Sequence, residues 1–290
     1  MEELLDFENG ELEKLSKLLG ELQPLPQIAK RALRALDKPN ATIPRISQLL
    51  KGDMALVARV LRVANSASFS LGKKVCTVNQ ALMILGMDKI KGIIVAASLQ
   101  QNSSPCSWVE EELWEHSILC AIAAKRLSIR LKRPYAEESY VIGLLHDLGK
   151  HIMFRQAPKL YTRIYDAKSK TREENLELEI DHFGASHSTL GANVARYWNL
   201  PDKLSLFILE HHDKKGEKTR EEDLEQLSVL QLANSLANYL GRRGELSASQ
   251  SRVEIKRKSE ELEIPKVMIE HICHEILEEL AAAKDLLERR

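Results

Sequence analysis

The stretch Val141–Phe154, VIGLLHDLGKHIMF, sets His146, Asp147 and Lys150 within a strongly apolar run. Burying a carboxylate and an imidazole among such residues costs free energy unless they pair with each other or bind a metal. His146 and Lys150 are four positions apart and Asp147 and Lys150 are three apart, so all three can face one region from consecutive helical turns. The stretch therefore predicts a polar site inside a helical core.

The rest of the chain repeats the helical period. Apolar residues recur at three- and four-residue spacings, as in Ile28, Ala32, Leu33 and Leu36, and Pro and Asn separate the periodic segments. Aromatic residues make up only 5% of the 290 residues, and no run alternates in the manner of a strand. We predict an all-α protein whose length suffices for one large domain or for two lobes.

Composition excludes several classes of protein. Lys plus Arg and Asp plus Glu both number 42, and this zero net charge argues against nucleic acid as a partner. No apolar run approaches the roughly 20 residues of a membrane span, and the acidic N-terminus does not resemble a signal peptide. Four scattered Cys without a C-x-x-C pair favour a reduced compartment. These features predict a cytoplasmic protein without a membrane segment.

Further His and acidic residues surround the central stretch. Glu112 and His116 are four apart, so both can project from one helical face. Imidazole and carboxylate together suit divalent transition ions such as Fe, Mn, Zn or Ni, and two such ions can clamp a phosphate and activate a water. The other candidates are His187 at a predicted helix start, His211 and His212 after a helix, and Asn234 within an apolar helix.

Each of these residues also has an ordinary structural interpretation. A lone His116 is more often a hydrogen-bonded core or surface residue than a ligand, and His211 with His212 would suit the negative end of a helix dipole. The remaining four histidines are interpreted as structural: His151, His182, His271 and His274.

The order of the candidates resembles that of the HD superfamily of metal-dependent phosphohydrolases and, more narrowly, of HD-GYP cyclic-di-GMP phosphodiesterases. Two departures matter: Asn234 stands where the final Asp is expected, and the Asp-Gly-x-Gly-Tyr-Pro signature is absent after His212. An amide is a neutral and weaker ligand than a carboxylate, which leaves catalysis open. The resemblance implies a phosphate-contacting Lys150 and metal ligands at Glu112, His116, His146, Asp147, His187, His211 and His212, with Asn234 as a weaker ligand.

Three earlier segments narrow this resemblance to an HDOD domain. They are LQPLPQIA at 22–29, LVARVLRVANSASF at 56–69 and TVNQALMILGMDKI at 77–90. The polar stretch QQNSSPCS at 100–107 predicts a boundary between two lobes. The resemblance implies a two-lobe helical architecture. An N-terminal helical extension covers 1–21, the HDOD domain covers 22–240, and a C-terminal helical extension covers 241–290. Within the HDOD domain, 22–105 is the first helical lobe and 106–240 is an HD-like helical bundle.

HDOD proteins are associated with bacterial signal transduction and gene regulation, and many have lost metal ligands. The resemblance therefore implies a regulatory protein with a largely retained metal site that is non-catalytic or weakly catalytic. It also implies a protein partner and a nucleotide or phosphate ligand. The apolar face near the C-terminus is expected to pack on the chain's own core, with a homodimer contact as the alternative. Two other functions stay open. One is a metal-dependent phosphohydrolase acting on a nucleotide or cyclic dinucleotide, with Asp213 as the nearest substitute carboxylate; the other is a purely structural module.

Overall fold

The structure is a computed structural model that describes residues 27–50, 56, 60, 77–86, 90–92, 94, 108–166, 172–197, 200–212, 218–241 and 248–288. Within these ranges the regular elements are α-helices and one 3-10 turn, Glu221–Asp223, and no strand occurs. The predicted all-α fold is confirmed. The helices are α1 Gln27–Leu36, α2 Ile43–Leu50, α3 Val78–Leu85, α4 Trp108–Arg130, α5 Ala136–Leu145, α6 Leu148–Gln156, α7 Pro158–Asp166, α8 Arg172–Phe183, α9 His187–Tyr197, α10 Asp202–Glu210, α11 Leu224–Leu240, α12 Ala248–Glu261 and α13 Lys266–Glu288.

Helices α1 to α3 pack in sequence, α1 on α2 and α2 on α3. The predicted period places Ala32 and Leu36 of α1 in the core. Helix α3 begins with a capping box, in which the Thr77 hydroxyl accepts from the Gln80 amide at 3.2 Å and the Gln80 side chain accepts from the Thr77 amide at 3.1 Å. These reciprocal bonds satisfy two backbone donors that the first turn of the helix leaves free.

The helices from α4 to α11 form a second group, and α4 is at its centre because α5 and α11 both pack along it. Residues 119–124 are all buried, as expected of a helix that is covered on every side. Helix α9 packs against α6 and α10. This arrangement brings together the junction between α5 and α6, the start of α9 and the end of α10.

The last two helices pack on the second group. Helix α12 lies on α11, and α13 lies on α4. Arg126 of α4 pairs with Glu279 of α13. The side chain of Lys258, 2% exposed, donates to Glu261 at 3.0 Å. The apolar face of α13 thus packs on the chain's own core. Ile272, Ile276 and Leu280 are buried, as is Ile264 just before the helix, while Val267 and Leu277 are exposed.

Several predictions fall outside the described residues: the extension 1–21, the start of the motif at 22–29, most of the motif at 56–69, the boundary at 100–107, and Asp213. Across the helices that are described, none has the length and apolar character that a membrane crossing requires.

Candidate metal centre

His146 and Asp147 form the two-residue junction between α5 and α6. Their exposed fractions are 0% and 1%, so the junction lies inside the core. The His146 Nδ1 is 2.7 Å from the carbonyl oxygen of Gly143. A carbonyl oxygen only accepts, so Nδ1 carries the proton and Nε2 is turned toward Asp147, 3.3 Å from its Oδ2.

The two carboxylate oxygens of Asp147 face two different groups of side chains. Oδ2 lies 3.5 Å from His116 Nε2 and 3.3 Å from His146 Nε2; we call this group the two-histidine pocket. Oδ1 lies 3.5 Å from His187 Nε2 and 3.4 Å from His211 Nε2. With His212, these residues form the three-histidine pocket: Asp147, His187, His211 and His212. In each pocket the ligand atoms lie within 4.8 Å of one another, so Asp147 is common to two potential ion sites.

The three-histidine pocket has the donors of a cation site. His211 Nδ1 is 2.7 Å from the Ile208 carbonyl oxygen and must carry its proton there, which leaves a lone pair on Nε2. That Nε2 and Asp147 Oδ1 are both buried and make no hydrogen bond. His187 Nε2 lies 3.0 Å from His212 Nε2. Lone pairs and a carboxylate oxygen that converge in a buried space repel one another unless a proton or a metal cation lies between them.

Glycines allow the helices to approach closely enough to form this centre. A Cβ at Gly149 of α6 would overlap the backbone carbonyl of His187 at the start of α9. A Cβ at Gly191 of α9 would come within 2.9 Å of the Gly149 nitrogen. On the other side, a Cβ at Gly143 of α5 would lie 2.8 Å from the Cys120 carbonyl oxygen of α4. These contacts set the distances from Asp147 to the histidines on both sides.

The electrostatics of the centre favour positive charge. Burial opposes protonation of His146, but the Asp147 carboxylate and the nearby Cys120 sulfur together outweigh burial and raise the pKa of His146 well above its usual value. Burial would raise the pKa of Asp147, yet His146 and Lys150 lower it well below its usual value. Burial lowers the pKa of His211 to about 4, so this imidazole is neutral near pH 7. A metal ion would replace the proton on His146, as metals generally do at such ligands.

Six of the predicted site residues line the two ion pockets, and a seventh, Lys150, contacts the Asp147 carboxylate that both pockets share. Lys150, 1% exposed, donates to Asp147 Oδ2 at 2.7 Å. Asn234 is buried, and its Oδ1 accepts from Asn238 at 3.0 Å. Glu112 is half-buried one turn before His116 and belongs to neither ion pocket among the described residues. The ligand roles of Glu112 and Asn234 and the phosphate contact of Lys150 stay predictions.

Two buried glutamates beside the centre were missed by the sequence analysis. Glu179 of α8 accepts from the backbone and the ring of His187. Glu210, just before His211, accepts from the Lys218 amide at 2.6 Å and the Thr219 hydroxyl at 2.5 Å. Glu210 could have been suspected from its place at the end of an apolar helix. Glu179 could not, because it is one of several acidic residues in α8.

His151 is buried beside the centre, although it belongs to neither pocket. Its Nε2 lies 3.2 Å from the Ser117 hydroxyl, and its ring meets the edge of Trp114. Burial lowers the pKa of His151 from 6.5 to about 4, against an opposing effect of Asp147. The His151 imidazole is therefore a core residue that is neutral near pH 7.

This pKa predicts a loss of stability in acid. As the pH falls, His151 is protonated in the unfolded chain before it is protonated in the folded one. The contribution of the neutral imidazole to the free energy of unfolding is therefore complete above about pH 6.5. It is lost as the pH falls to about 4, a change of about 3 kcal/mol. We expect His151→Asn to flatten the pH dependence of the free energy of unfolding in urea over this interval. His182→Asn, at an exposed position, is the control, and an unchanged slope in His151→Asn would contradict the assignment.

Comparison with known proteins identifies the family. The HDOD domain model matches residues 22–214, so the chain belongs to the HDOD family. A solved HDOD domain protein of unknown function from Geobacter sulfurreducens is 25% identical, with a TM-score of 0.67 over 96% of this chain and 98% of that one.

Two curated relatives are similar over shorter regions. An uncharacterized protein from Treponema pallidum is 22% identical over 78% of this chain and 44% of its own length. The cyclic di-GMP phosphodiesterase CdgJ from Vibrio cholerae is 27% identical over 42% of this chain and 28% of its own length. The chain thus spans less than half the length of these relatives.

Proposed function

We propose that this HDOD protein is a bacterial, cytoplasmic regulator that binds a divalent transition ion at the Asp147 centre. The observation that carries the proposal is the unbonded, buried pair of Asp147 Oδ1 and His211 Nε2, 3.4 Å apart. Fe, Mn, Zn or Ni would each suit this set of imidazoles and one carboxylate. The bound or free state of the centre would be passed to a protein partner through the helical surface, with a nucleotide or phosphate as the additional ligand.

Two contacts favour binding over turnover. The Lys150 ammonium is held by Asp147 within the core, so its charge is already engaged at 2.7 Å. Asn234 stands where a final carboxylate is expected, and one lone pair of its amide oxygen is used by Asn238. A metal ion in such a centre supplies Lewis acidity to a bound phosphate. The chain's own residues hold the ligand atoms, while the charge of Lys150 is already paired with Asp147.

The experiment combines metal content with turnover. The purified protein is reconstituted separately with Fe²⁺, Mn²⁺, Zn²⁺ and Ni²⁺, desalted, and examined by elemental analysis. It is then assayed against cyclic di-GMP and bis(p-nitrophenyl) phosphate. We expect a retained ion and hydrolysis at the background rate. Protein that retains none of the four ions would contradict the proposal.

An active phosphohydrolase is the second candidate, and the shared Asp147 favours it. Two ion pockets that meet at one carboxylate have the arrangement that clamps a phosphate between two ions. The phosphodiesterase CdgJ is a relative, although the alignment covers 28% of it. Hydrolysis that requires added metal and disappears in His146→Ala would establish this function in place of the first.

We expect His211→Ala to weaken ion binding by at least about 100-fold. Removing a residue that only hydrogen-bonds to a metal ligand already lowers metal affinity by about 10–100-fold. His211 contributes its Nε2 directly to the three-histidine pocket. The matched control is His274→Ala on α13, whose side chain is 76% exposed. Both variants are titrated with Zn²⁺ against a chromogenic chelator. Equal affinities in the two variants would show that His211 is not a ligand.

A further inference from the structure

Glu179 supports the three-histidine pocket from behind. The residue lies on α8 and is 3% exposed, whereas Glu177 on the same helix is exposed. Its Oε2 is 2.7 Å from the backbone nitrogen of His187 and 2.7 Å from His187 Nδ1. Its Oε1 is 3.4 Å from the hydroxyl of Tyr161, which is 2% exposed. A buried carboxylate with three converging donors holds one orientation.

These contacts determine the tautomer of His187. The backbone N–H donates to Oε2, and a carboxylate oxygen can only accept, so His187 Nδ1 must also carry a proton and donate it. The Nε2 lone pair is then directed into the three-histidine pocket, 3.5 Å from Asp147 Oδ1. A carboxylate bound to the far nitrogen of an imidazole makes that imidazole a more basic metal ligand.

The carboxylate behind His187 and the position of Lys150 distinguish the two pockets. His146 and His211 donate from Nδ1 to the neutral backbone carbonyls of Gly143 and Ile208, whereas His187 donates to a carboxylate. The two-histidine pocket also contains the Lys150 ammonium on Asp147 Oδ2, and its positive charge repels an incoming ion. Charge therefore favours a cation in the three-histidine pocket and opposes one in the other.

We propose that Glu179 is the positioning residue of the three-histidine pocket: it holds His187 in one tautomer and directs the first metal ion to this pocket. The inference rests on the proposed metal-binding function. It adds a residue that contacts no ion itself and acts only through His187. It also assigns an order of filling to two pockets that share one carboxylate.

The test compares Glu179→Gln with Glu177→Gln and His116→Ala in Zn²⁺ titrations against a chromogenic chelator. Glutamine keeps the volume of Glu179 and still accepts both N–H groups, but it removes the negative charge. We expect the dissociation constant of the first ion to rise about 10–100-fold in Glu179→Gln and to change less than about threefold in the control Glu177→Gln. His116→Ala should weaken the first ion less than Glu179→Gln does, because His116 belongs to the other pocket. An unchanged constant in Glu179→Gln, or a first ion lost in His116→Ala, would overturn the proposal.

A second measurement does not depend on a variant or on metal. Nitrogen-15 NMR of the imidazoles in the metal-free wild-type protein distinguishes the two neutral tautomers of His187. We expect the proton on Nδ1, and a proton on Nε2 alone would overturn the role of Glu179. Wild-type protein that binds no Zn²⁺ would instead contradict the proposed function, while the NMR spectrum would still report on the Glu179–His187 contact.

Discussion

Asp147→Asn is expected to abolish ion binding in both pockets and to destabilise the fold by about 3–5 kcal/mol, the usual cost of removing one partner of a buried ion pair. Asp147 supplies an oxygen to each pocket, so the amide removes the negative charge that both share. It also leaves the buried Lys150 ammonium without its carboxylate at 2.7 Å. We expect the affinity for Zn²⁺ to fall by at least about 100-fold, because even the loss of a residue that only supports a metal ligand lowers the affinity by about 10–100-fold.

Matched variants separate the two effects. Lys150→Met should retain the ion, because the carboxylate remains. The double variant Asp147→Asn/Lys150→Met should regain part of the lost stability, since no buried cation is left unpaired, yet it should still bind no ion. The measurements are urea unfolding of the metal-free proteins and Zn²⁺ titration of the folded ones. Retention of Zn²⁺ by Asp147→Asn at the wild-type affinity would refute the shared role of this carboxylate.

Gly149→Ala is expected to be the most disruptive small substitution near the centre. The added methyl group would overlap the carbonyl of His187, and backbone atoms cannot move aside as a flexible side chain can. Helices α6 and α9 must separate, which should cost about 3 kcal/mol, at the upper end of the usual cost of overpacking. The separation would also move His187 away from Asp147, so we expect a large loss of Zn²⁺ affinity.

Two comparisons make this result specific. Gly191→Ala should have a smaller effect of the same kind, because its methyl group would lie 2.9 Å from the Gly149 nitrogen. Ile272→Ala on α13 should lower stability by about 3 kcal/mol through a cavity, but it should leave Zn²⁺ affinity unchanged in the folded protein. Wild-type affinity in Gly149→Ala would show that the approach of α6 and α9 does not set the site.

Much of the centre could be predicted from the sequence. His146 and Asp147 stand out because charged groups in an apolar run need partners. In the structure Asp147 contacts four histidines and one lysine: His116, His146, His187, His211 and Lys150. The recurrence of His116, His187, His211 and His212 in the order of a known family predicted the other participants. Glu179 escaped, because its neighbours in α8 are also acidic and only packing shows which carboxylate is buried.

The sequence by itself determined that the protein is helical and which faces of its helices are buried, because the period of apolar residues reports burial directly. It also predicted that His and Asp side chains lie in apolar segments, where they need partners. Only the tertiary structure decided that the Asp147 oxygens face two pockets, that Lys150 occupies one of them, and that Glu179 lies behind His187. These facts depend on how closely helices distant in sequence approach one another. Backbone contacts at Gly149 and Gly191 set that distance, and the local period of apolar residues does not encode it.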